Sequence, residues 1–364
     1  MFNSKFMEIS KTSAQDSKPL SPLWYAGIAL VACAVLLFDQ IQCWNSKDDY
    51  LFGYLVPLFS AFVIKERWHK IKRIFTGTPD EEDANDEFQL PAWAVKPGTA
   101  VPAWLSLIFF AGTLFSALLF ASGAIGSAIY GFDAFTTYQN TAGFVGLCFG
   151  LAWFSASETL TGTPQDLRAR IRLLLLLVFP ICVWMISGPF TFLVDRQIKT
   201  LLLSNVTSTV VHLMNFLGFD LTQEANTILL PGGDRVGVED ACSGVRSLTA
   251  CLFTGSFLAA VFMHSLKKKV FFVALSIVFA LLLNVMRSSF LTLWASFNGS
   301  GALELDFFGN AAESPDFTLG TVHDVIGWGA MIVTLVLMAA LVPLINLKRE
   351  RTDEEMALNF VDED

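Results

Sequence analysis

Three polar residues in this apolar chain have side chains suited to acyl-transfer chemistry, namely Cys242, Arg287 and His323. A thiol beside an imidazole is the arrangement of nucleophilic catalysis, in which the base activates the sulfur and later protonates the leaving amine. A fixed guanidinium can stabilise either the thiolate or the oxyanion of a tetrahedral intermediate. This chemistry requires the three side chains to lie close together. Whether they can do so depends on the structure and membrane orientation of the segments that carry them.

The composition predicts that these segments are membrane helices. Of the 364 residues, 54% are apolar and only 16% are charged, well below the usual share of a soluble domain. The net charge of −9 owes much to acidic tracts at 80–87 and 353–364, so no nucleic-acid partner is expected. The six cysteines show no metal-ligand spacing, and neither a metal nor a cofactor is expected. We therefore predict an all-α polytopic membrane protein.

Eight segments are candidates for membrane-spanning helices, each of which needs about 20 mostly apolar residues. The first run lacks a small-residue cleavage site after it and is interpreted as a retained anchor. The second and fourth are the weakest, being short or rich in glycine. The candidates are 24–42, 48–64, 101–121, 139–157, 172–194, 243–263, 270–297 and 323–346.

The distribution of Lys and Arg predicts the orientation. Most of the 24 basic residues fall in alternate connecting segments, which the positive-inside rule places in the cytoplasm. Both termini are then cytoplasmic, and the chain lies in the cytoplasmic or inner membrane. The predicted organisation is a cytoplasmic tail at 1–23, one transmembrane catalytic domain at 24–346 and an acidic cytoplasmic tail at 347–364. Within the transmembrane domain we predict a cytoplasmic loop at 65–100 and an extracytoplasmic insert at 195–241.

The extracytoplasmic insert is predicted to contain an amphipathic helix and a short β-hairpin. If residues 197–217 spanned the membrane, every later feature would change sides, but their many polar side chains favour a helix at the interface. Two short β-rich runs then flank Pro231-Gly232-Gly233-Asp234, a strong turn signal. The hairpin would deliver the chain directly to Cys242.

With this topology the three polar residues share the outer face. Cys242 lies at the outer start of the sixth span and His323 at the outer start of the eighth. Arg287 follows the inner end of the seventh span by about five helical turns, or about 27 Å, which reaches the outer edge of the bilayer core. An arginine in a membrane helix normally faces a polar cavity or a partner.

Four further residues are candidates for supporting roles. Asp240 offers N-cap chemistry to the helix that follows Cys242, although a carboxylate so close to the thiol disfavours a thiolate. Asn284 lies one turn below Arg287 on the same face, and Asp324 follows His323. Arg246 points deeper into the membrane, where we favour a structural or cavity-lining role.

Each residue also has an interpretation without chemistry. Cys242 could be a packing residue, because cysteine in apolar runs behaves as a small hydrophobe. Arg287 could extend to the outer headgroups, and His323 could be an interfacial residue of a helix that Thr321 caps. Their presence together at one membrane face favours the catalytic interpretation.

The motifs around these residues resemble the exosortase/archaeosortase family of membrane transpeptidases. The segment Ala241–Leu248 (ACSGVRSL) is similar to the family's Cys-Ser-Gly-x-Arg-Ser-Leu motif, Asn284–Arg287 (NVMR) to its second motif, and His323 to its third, in the form typical of bacterial exosortases. An early segment with a Leu-Val-Pro-Leu core is also similar. Family members commonly carry His just before the glycine of that segment, where this chain has Phe52.

This resemblance implies a protein-sorting transpeptidase. Substrates of such enzymes are membrane-anchored proteins with a C-terminal tripartite signal, made of a short motif such as Pro-Glu-Pro, one transmembrane helix and a basic cluster. The acyl group would pass to an amine or to a polysaccharide-linked or lipid-linked acceptor at the outer face. By the same resemblance, Cys242 is the nucleophile, His323 the acid and base, and Arg287 the electrostatic stabiliser.

Two other classes of function stay open at this point. An intramembrane cysteine protease would use the same residues with water as the acceptor. A non-enzymatic transporter or polysaccharide-assembly subunit could use Arg287 and His323 to line a path, although a through-going path would also need polar residues at the midplane.

Overall fold

Helices dominate the structure, which is a computed structural model. Ten α-helices, a short 3-10 helix at Ser300–Leu303 and three short strands occur in the described part of the chain. The described residues are 22–46, 52–78, 96, 98–131, 133–187, 198–237, 244–263, 265–305 and 320–361.

The elements follow one another in chain order with short connections. The helices are α1 (Pro22–Ser46), α2 (Leu55–Glu66), α3 (Trp68–Thr76), α4 (Ala103–Tyr130), α5 (Ala134–Ser155), α6 (Leu167–Ile186), α7 (Ile198–Phe216), α8 (Gly244–Phe262), α9 (Leu266–Asn298) and α10 (Val322–Val361). The strands are β1 (Thr222–Glu224), β2 (Thr227–Leu229) and β3 (Arg235–Gly237), which form one antiparallel sheet in the order β1-β2-β3.

Five of the described helices are long and apolar enough to cross a membrane, which confirms the polytopic class. They are α1, α4, α6, α9 and the part of α10 that ends at Ile345. Helices also occupy the other three predicted spans, but α2 has only 12 residues, α5 carries many polar side chains and α8 is a shorter apolar helix. The count of eight spans therefore stays a prediction.

Two segments that the sequence suggested were connections or tails are helical. Helix α3 lies within the predicted loop 65–100, where the spacing of Ile71 and Ile74 buries one face of a basic nine-residue helix. Helix α10 continues to Val361, well into the predicted tail 347–364. Both segments contain few helix-breaking residues, and the acidic composition of the tail did not indicate its backbone conformation.

Polar side chains join α1 to α5 and α6 inside the apolar bundle. Gln40 is fully buried, and its amide donates to Thr141 Oγ1 at 2.7 Å while its carbonyl accepts from Ser187 Oγ at 3.1 Å. Trp44 Nε1 donates to the Ser187 carbonyl at 2.8 Å. Hydrogen bonds of this kind hold membrane helices together where the hydrophobic effect cannot.

Arg67, between α2 and α3, satisfies carbonyl groups of two other helices. Its Nη1 donates to the Leu176 carbonyl at 2.7 Å and its Nη2 to the Ala260 carbonyl at 2.9 Å. The Leu176 carbonyl lacks its usual helical partner because Pro180, four residues later, has no N–H. The Ala260 carbonyl is one of the last four of α8, which also lack partners within their own helix.

Replacement of Arg67 by Met should therefore lower the thermal stability of the protein. The change leaves two buried carbonyls without a donor, at a cost of about 1–3 kcal/mol for each. Lys65→Met removes an exposed positive charge two residues earlier and serves as the matched control. Melting curves in detergent should show a clear drop in Tm for R67M alone, and equal drops for both variants would contradict this account of Arg67.

Helix α7 and the small sheet pack as a cap on the end of α9 and the start of α10. Leu203, Val210 and Met214 bury one face of α7, while the opposite face exposes Asn205 and His212. The buried face joins a core with residues of β2, β3 and α9 and with Val322 of α10. The predicted turn Pro231–Asp234 lies between β2 and β3, and β1 is an additional strand that the sequence did not indicate.

Helices α8, α9 and α10 contact one another, and their packing determines the height along the bundle at which the residues of the candidate site lie. A short connection at 263–265 makes α8 and α9 antiparallel neighbours, so the start of α8 lies at the same end as the later turns of α9. Gly255 permits this close packing, because a Cβ atom there would lie 2.5 Å from the Ser276 side chain of α9.

Candidate functional site

The side chains of Arg287 and His323 are in direct contact. Arg287 Nη2 lies 3.0 Å from His323 Nε2, across the gap between α9 and the first turn of α10. A guanidinium can only donate hydrogen bonds, so Nε2 must accept and the neutral ring carries its proton on Nδ1. This tautomer is assigned from the hydrogen-bonding pattern.

The second ring nitrogen of His323, Nδ1, is directed towards Asp324. His323 Nδ1 lies 3.7 Å from Asp324 Oδ1, and the His323 side chain is only 22% exposed. A carboxylate at this distance favours the tautomer that carries its proton on Nδ1. The arrangement Arg287–His323–Asp324 thus fixes the orientation of the ring from both sides.

Asp324 is itself held by a reciprocal cap with Thr321 at the start of α10. The backbone N–H and the hydroxyl of Thr321 donate to Asp324 Oδ2 at 3.1 and 3.0 Å, and the Asp324 N–H donates to Thr321 Oγ1 at 3.3 Å. This is the capping-box pattern, in which two orphan donors are satisfied together. The helix cap and the partner of His323 are therefore the same carboxylate.

Gly327 makes room for the guanidinium of Arg287. A Cβ atom at Gly327 would lie 3.1 Å from Nη2 and 3.2 Å from Cζ of Arg287. Gly327 is one turn after His323 on the same face of α10, so the glycine and the imidazole together form the surface on which Arg287 rests. The sequence analysis missed this residue, although the four-residue spacing from His323 was a usable signal.

The predicted supporting residues Asn284 and Arg246 belong to α9 and α8, respectively. Asn284 is 4% exposed and one turn before Arg287, and its Oδ1 has no hydrogen-bond partner among the described residues. Arg287 Nε is likewise buried without a partner in that part of the chain. Arg246 belongs to the first turn of α8, and its side chain lies outside the described residues.

Cys242 and Asp240 lie outside the described residues, so the structure gives no distance from the thiol to the pair. Helix α8 begins at Gly244, two residues after Cys242 in the sequence, so the heights of Gly244 and Arg287 can be compared. Helix geometry places Gly244 about 27 Å above the α8–α9 connection and Arg287 about 32 Å above it. The two positions differ by about one helical turn in height.

A model of the transmembrane exosortases matches residues 44–340 of the chain. The chain belongs to this family. Comparison with curated proteins and with solved structures gave no match. The matched range includes the exosortase motifs at Ala241–Leu248 and Asn284–Arg287, as well as His323 and the early Leu-Val-Pro segment.

The early exosortase segment packs against α1 and α8. A Cβ atom at Gly53 would lie 2.1 Å from Trp44 Nε1, so the glycine allows this segment to cross the Trp44 indole closely. Phe52 occupies the position where exosortases commonly carry His, and its ring lies 5.6 Å from the ring of Phe253 in α8. In this exosortase the position contributes apolar packing against α8.

No group of three His, Cys, Asp or Glu side chains comes together as a metal site in the part of the exosortase that the structure describes. The candidate site instead brings together the guanidinium of Arg287, the imidazole of His323 and the carboxylate of Asp324. Such a set can position and transfer a proton and can stabilise a developing negative charge.

Gly327→Ala should reduce any activity that depends on the Arg287–His323 pair by several-fold to about tenfold. The added methyl group displaces the guanidinium of Arg287 by a few tenths of an ångström and weakens its bond to His323, and such small misplacements are costly in active sites. Gly329→Ala is the matched control, because a Cβ there meets nothing within 4 Å. Substrate processing should be compared at equal protein levels, and equal rates for both variants would contradict the role assigned to Gly327.

Proposed function

We propose that this chain is a cysteine transpeptidase of the exosortase type, with Cys242 as nucleophile, His323 as acid and base, and Arg287 as electrostatic stabiliser. The observation that carries the proposal is the 3.0 Å hydrogen bond between Arg287 and His323. Those residues belong to α9 and α10, which both contact α8, the helix that begins at Gly244, two residues after Cys242 in the sequence. Family membership supports the same class of chemistry.

The proposed reaction has two acyl-transfer steps. The Cys242 thiol gives its proton to His323 Nε2 as its sulfur attacks the scissile carbonyl of the substrate. The tetrahedral intermediate then collapses to a thioester, and the imidazolium protonates the amine of the leaving tail. An acceptor amine attacks the thioester, His323 takes its proton, and the new amide leaves as the thiol is restored.

The resting hydrogen bond implies that Arg287 must move during the first step. Its Nη2 occupies the Nε2 lone pair of His323, which is the position that has to receive the thiol proton. We propose that the substrate carbonyl draws the guanidinium away from His323 as the oxyanion develops. The same movement frees Nε2 and supplies the stabilising charge, so the base becomes available only when substrate is bound.

Asp324 has a positioning role in this scheme. Its Oδ1 lies 3.7 Å from Nδ1, and its Oδ2 is held by Thr321, so the carboxylate keeps the ring proton on Nδ1 and leaves Nε2 as the accepting nitrogen. When Nε2 takes the thiol proton, the nearby negative charge stabilises the imidazolium. Asn284 and Arg246 are proposed to support the site from below, on α9 and α8.

The proposed substrates are exported proteins anchored by a C-terminal tripartite tail. A substrate held by its own membrane helix diffuses in two dimensions and presents its scissile bond at the depth of Cys242. The acceptor is proposed to be an amine or a carrier linked to polysaccharide or lipid at the outer face of the cytoplasmic membrane, with both termini of the enzyme in the cytoplasm.

The test is co-expression with a candidate tailed substrate from the same genome, followed by intact-mass spectrometry of that substrate. Loss of the tail together with added mass supports transfer, whereas the bare cleaved mass would favour hydrolysis with water as the acceptor. Substrate of unchanged mass with every tailed protein of that genome would contradict the proposed function.

The proposed orientation predicts that a membrane-impermeant maleimide labels Cys242 from outside the cell. The other cysteines of the described helices are buried or partly buried within the bundle and should react slowly. Cys242→Ala should remove the label from intact cells without affecting labelling after lysis at other sites. Labelling of Cys242 only after lysis would place the site on the cytoplasmic side and contradict the proposed topology.

A further inference from the structure

An apolar groove lies between α6, α8 and α9, at the end of the bundle opposite Arg287 and His323. It encloses about 290 Å³ and is lined by apolar side chains such as Phe179, Ile186 and Val273. Val178 and Val270 also line it and are 40% and 62% exposed. The groove is therefore open to the surroundings of the helical bundle, on the side where lipid would lie.

Two basic side chains line this otherwise apolar groove, Arg67 and Lys269. Arg67 is 8% exposed and is held in place by the carbonyls of Leu176 and Ala260. Lys269 lies in the first turn of α9, about five helical turns below Arg287. The positive charge is thus fixed at one end of the groove.

A basic surface adjoins the same end. Helix α3 follows Arg67 directly and carries Lys72 and Arg73 beside an exposed Trp68, while Lys267 is exposed at the start of α9. Tryptophan and basic residues in this combination are typical of the level of the lipid headgroups. The charged end of the groove therefore lies at a membrane surface.

The chemistry of the groove indicates the class of its occupant. Its walls are apolar side chains, which suit the hydrocarbon chain of a lipid, and Arg67 and Lys269 line its charged end. A phosphate is a natural partner of basic side chains at such an end.

We propose that the groove binds one anionic phospholipid, with an acyl chain along Val178 and Phe179 and the phosphate beside Lys269. Anionic headgroups are attracted to basic residues at the membrane surface, at about 1 kcal/mol for each Lys or Arg. A bound lipid would fill the space between α6, α8 and α9 and hold them together, whether or not Cys242 is the nucleophile.

The test is native mass spectrometry of the delipidated full-length protein, titrated with phosphatidylglycerol or phosphatidylcholine of identical chains. Wild type should retain one phosphatidylglycerol in preference to phosphatidylcholine. Lys269→Gln should lower the affinity for phosphatidylglycerol about fivefold, and Val178→Trp should block both lipids by filling the groove. The matched control for K269Q is Lys267→Gln, on the same helix but outside the groove. The matched control for V178W is Leu118→Trp, on the exposed face of α4.

Each outcome decides the proposal. A loss of lipid confined to K269Q and V178W supports it, and unchanged melting curves would verify that both variants fold. Equal retention of the two lipids by wild type would overturn the charged site. Retention by both groove variants at the level of their controls would overturn the groove as the binding site.

Discussion

Cys242→Ala should abolish removal of the sorting tail, and Cys242→Ser should do the same. The thiol is the only proposed covalent carrier of the acyl group, and loss of a catalytic nucleophile costs on the order of 10⁶-fold in rate. Serine does not restore the reaction, because its hydroxyl ionises far less readily than a thiol. Mass spectrometry of the substrate should therefore show only the uncleaved form with either variant.

Cys251→Ala is the control for the Cys242 variants. Cys251 lies on α8 two turns below the start of the helix and is buried at 5% exposure, so its removal perturbs the same helix without touching the proposed site. Normal processing by C251A with none by C242A is the expected pair of results. Processing that survives Cys242→Ser would eliminate both the transpeptidase and the protease, and it would favour the non-enzymatic alternative.

His323→Gln and Arg287→Lys should each reduce processing by about 10²–10³-fold. Glutamine cannot accept and return the thiol proton, and general acid–base catalysis contributes about 10²–10⁴-fold. Lysine keeps the charge of Arg287 but loses the planar fork that contacts His323 and, in the proposed reaction, the substrate oxyanion. The rates can be compared by the fraction of substrate cleaved at matched times and matched protein levels.

The double variant of Arg287 and His323 tests whether the two residues act in one step. Because the guanidinium and the imidazole are hydrogen-bonded, the combined loss should fall well short of the product of the single losses. Met286→Leu is a suitable control on the same helix, since Met286 is 65% exposed. Fully multiplicative losses would indicate that the two side chains work independently.

The helical, polytopic class could be predicted from the sequence because lipid imposes strong rules on composition. Apolar runs of sufficient length identify spanning helices, and counting turns from the inner end of the seventh span placed Arg287 at the level of His323. The structure places these two side chains in hydrogen-bond contact. The turn at Pro231–Asp234 was likewise readable, since Pro-Gly-Gly-Asp between β-rich runs has few other conformations.

Contacts between distant segments could not be read from the sequence. Nothing in the pattern around Arg67 indicates that its guanidinium satisfies the carbonyl freed by Pro180, more than a hundred residues away. The spacing of Gly327 from His323 indicates a shared helix face, but its contact with Arg287 depends on the angle at which α10 crosses α9. Such contacts depend on how helices rotate about their axes, and hydropathy patterns alone leave that rotation open.

The role of Cys242 rests on its position before α8 and on the family motif, so the most direct test is to find the acyl group on its sulfur. The wild-type protein would be incubated with tailed substrate, quenched in acid, digested and examined by mass spectrometry. We predict a peptide containing Cys242 that carries the substrate through a bond cleaved by neutral hydroxylamine, as expected of a thioester. Two results together would contradict the account: rapid cleavage of the substrate while Cys242 stays unmodified at every time point, and processing that is retained in Cys242→Ala.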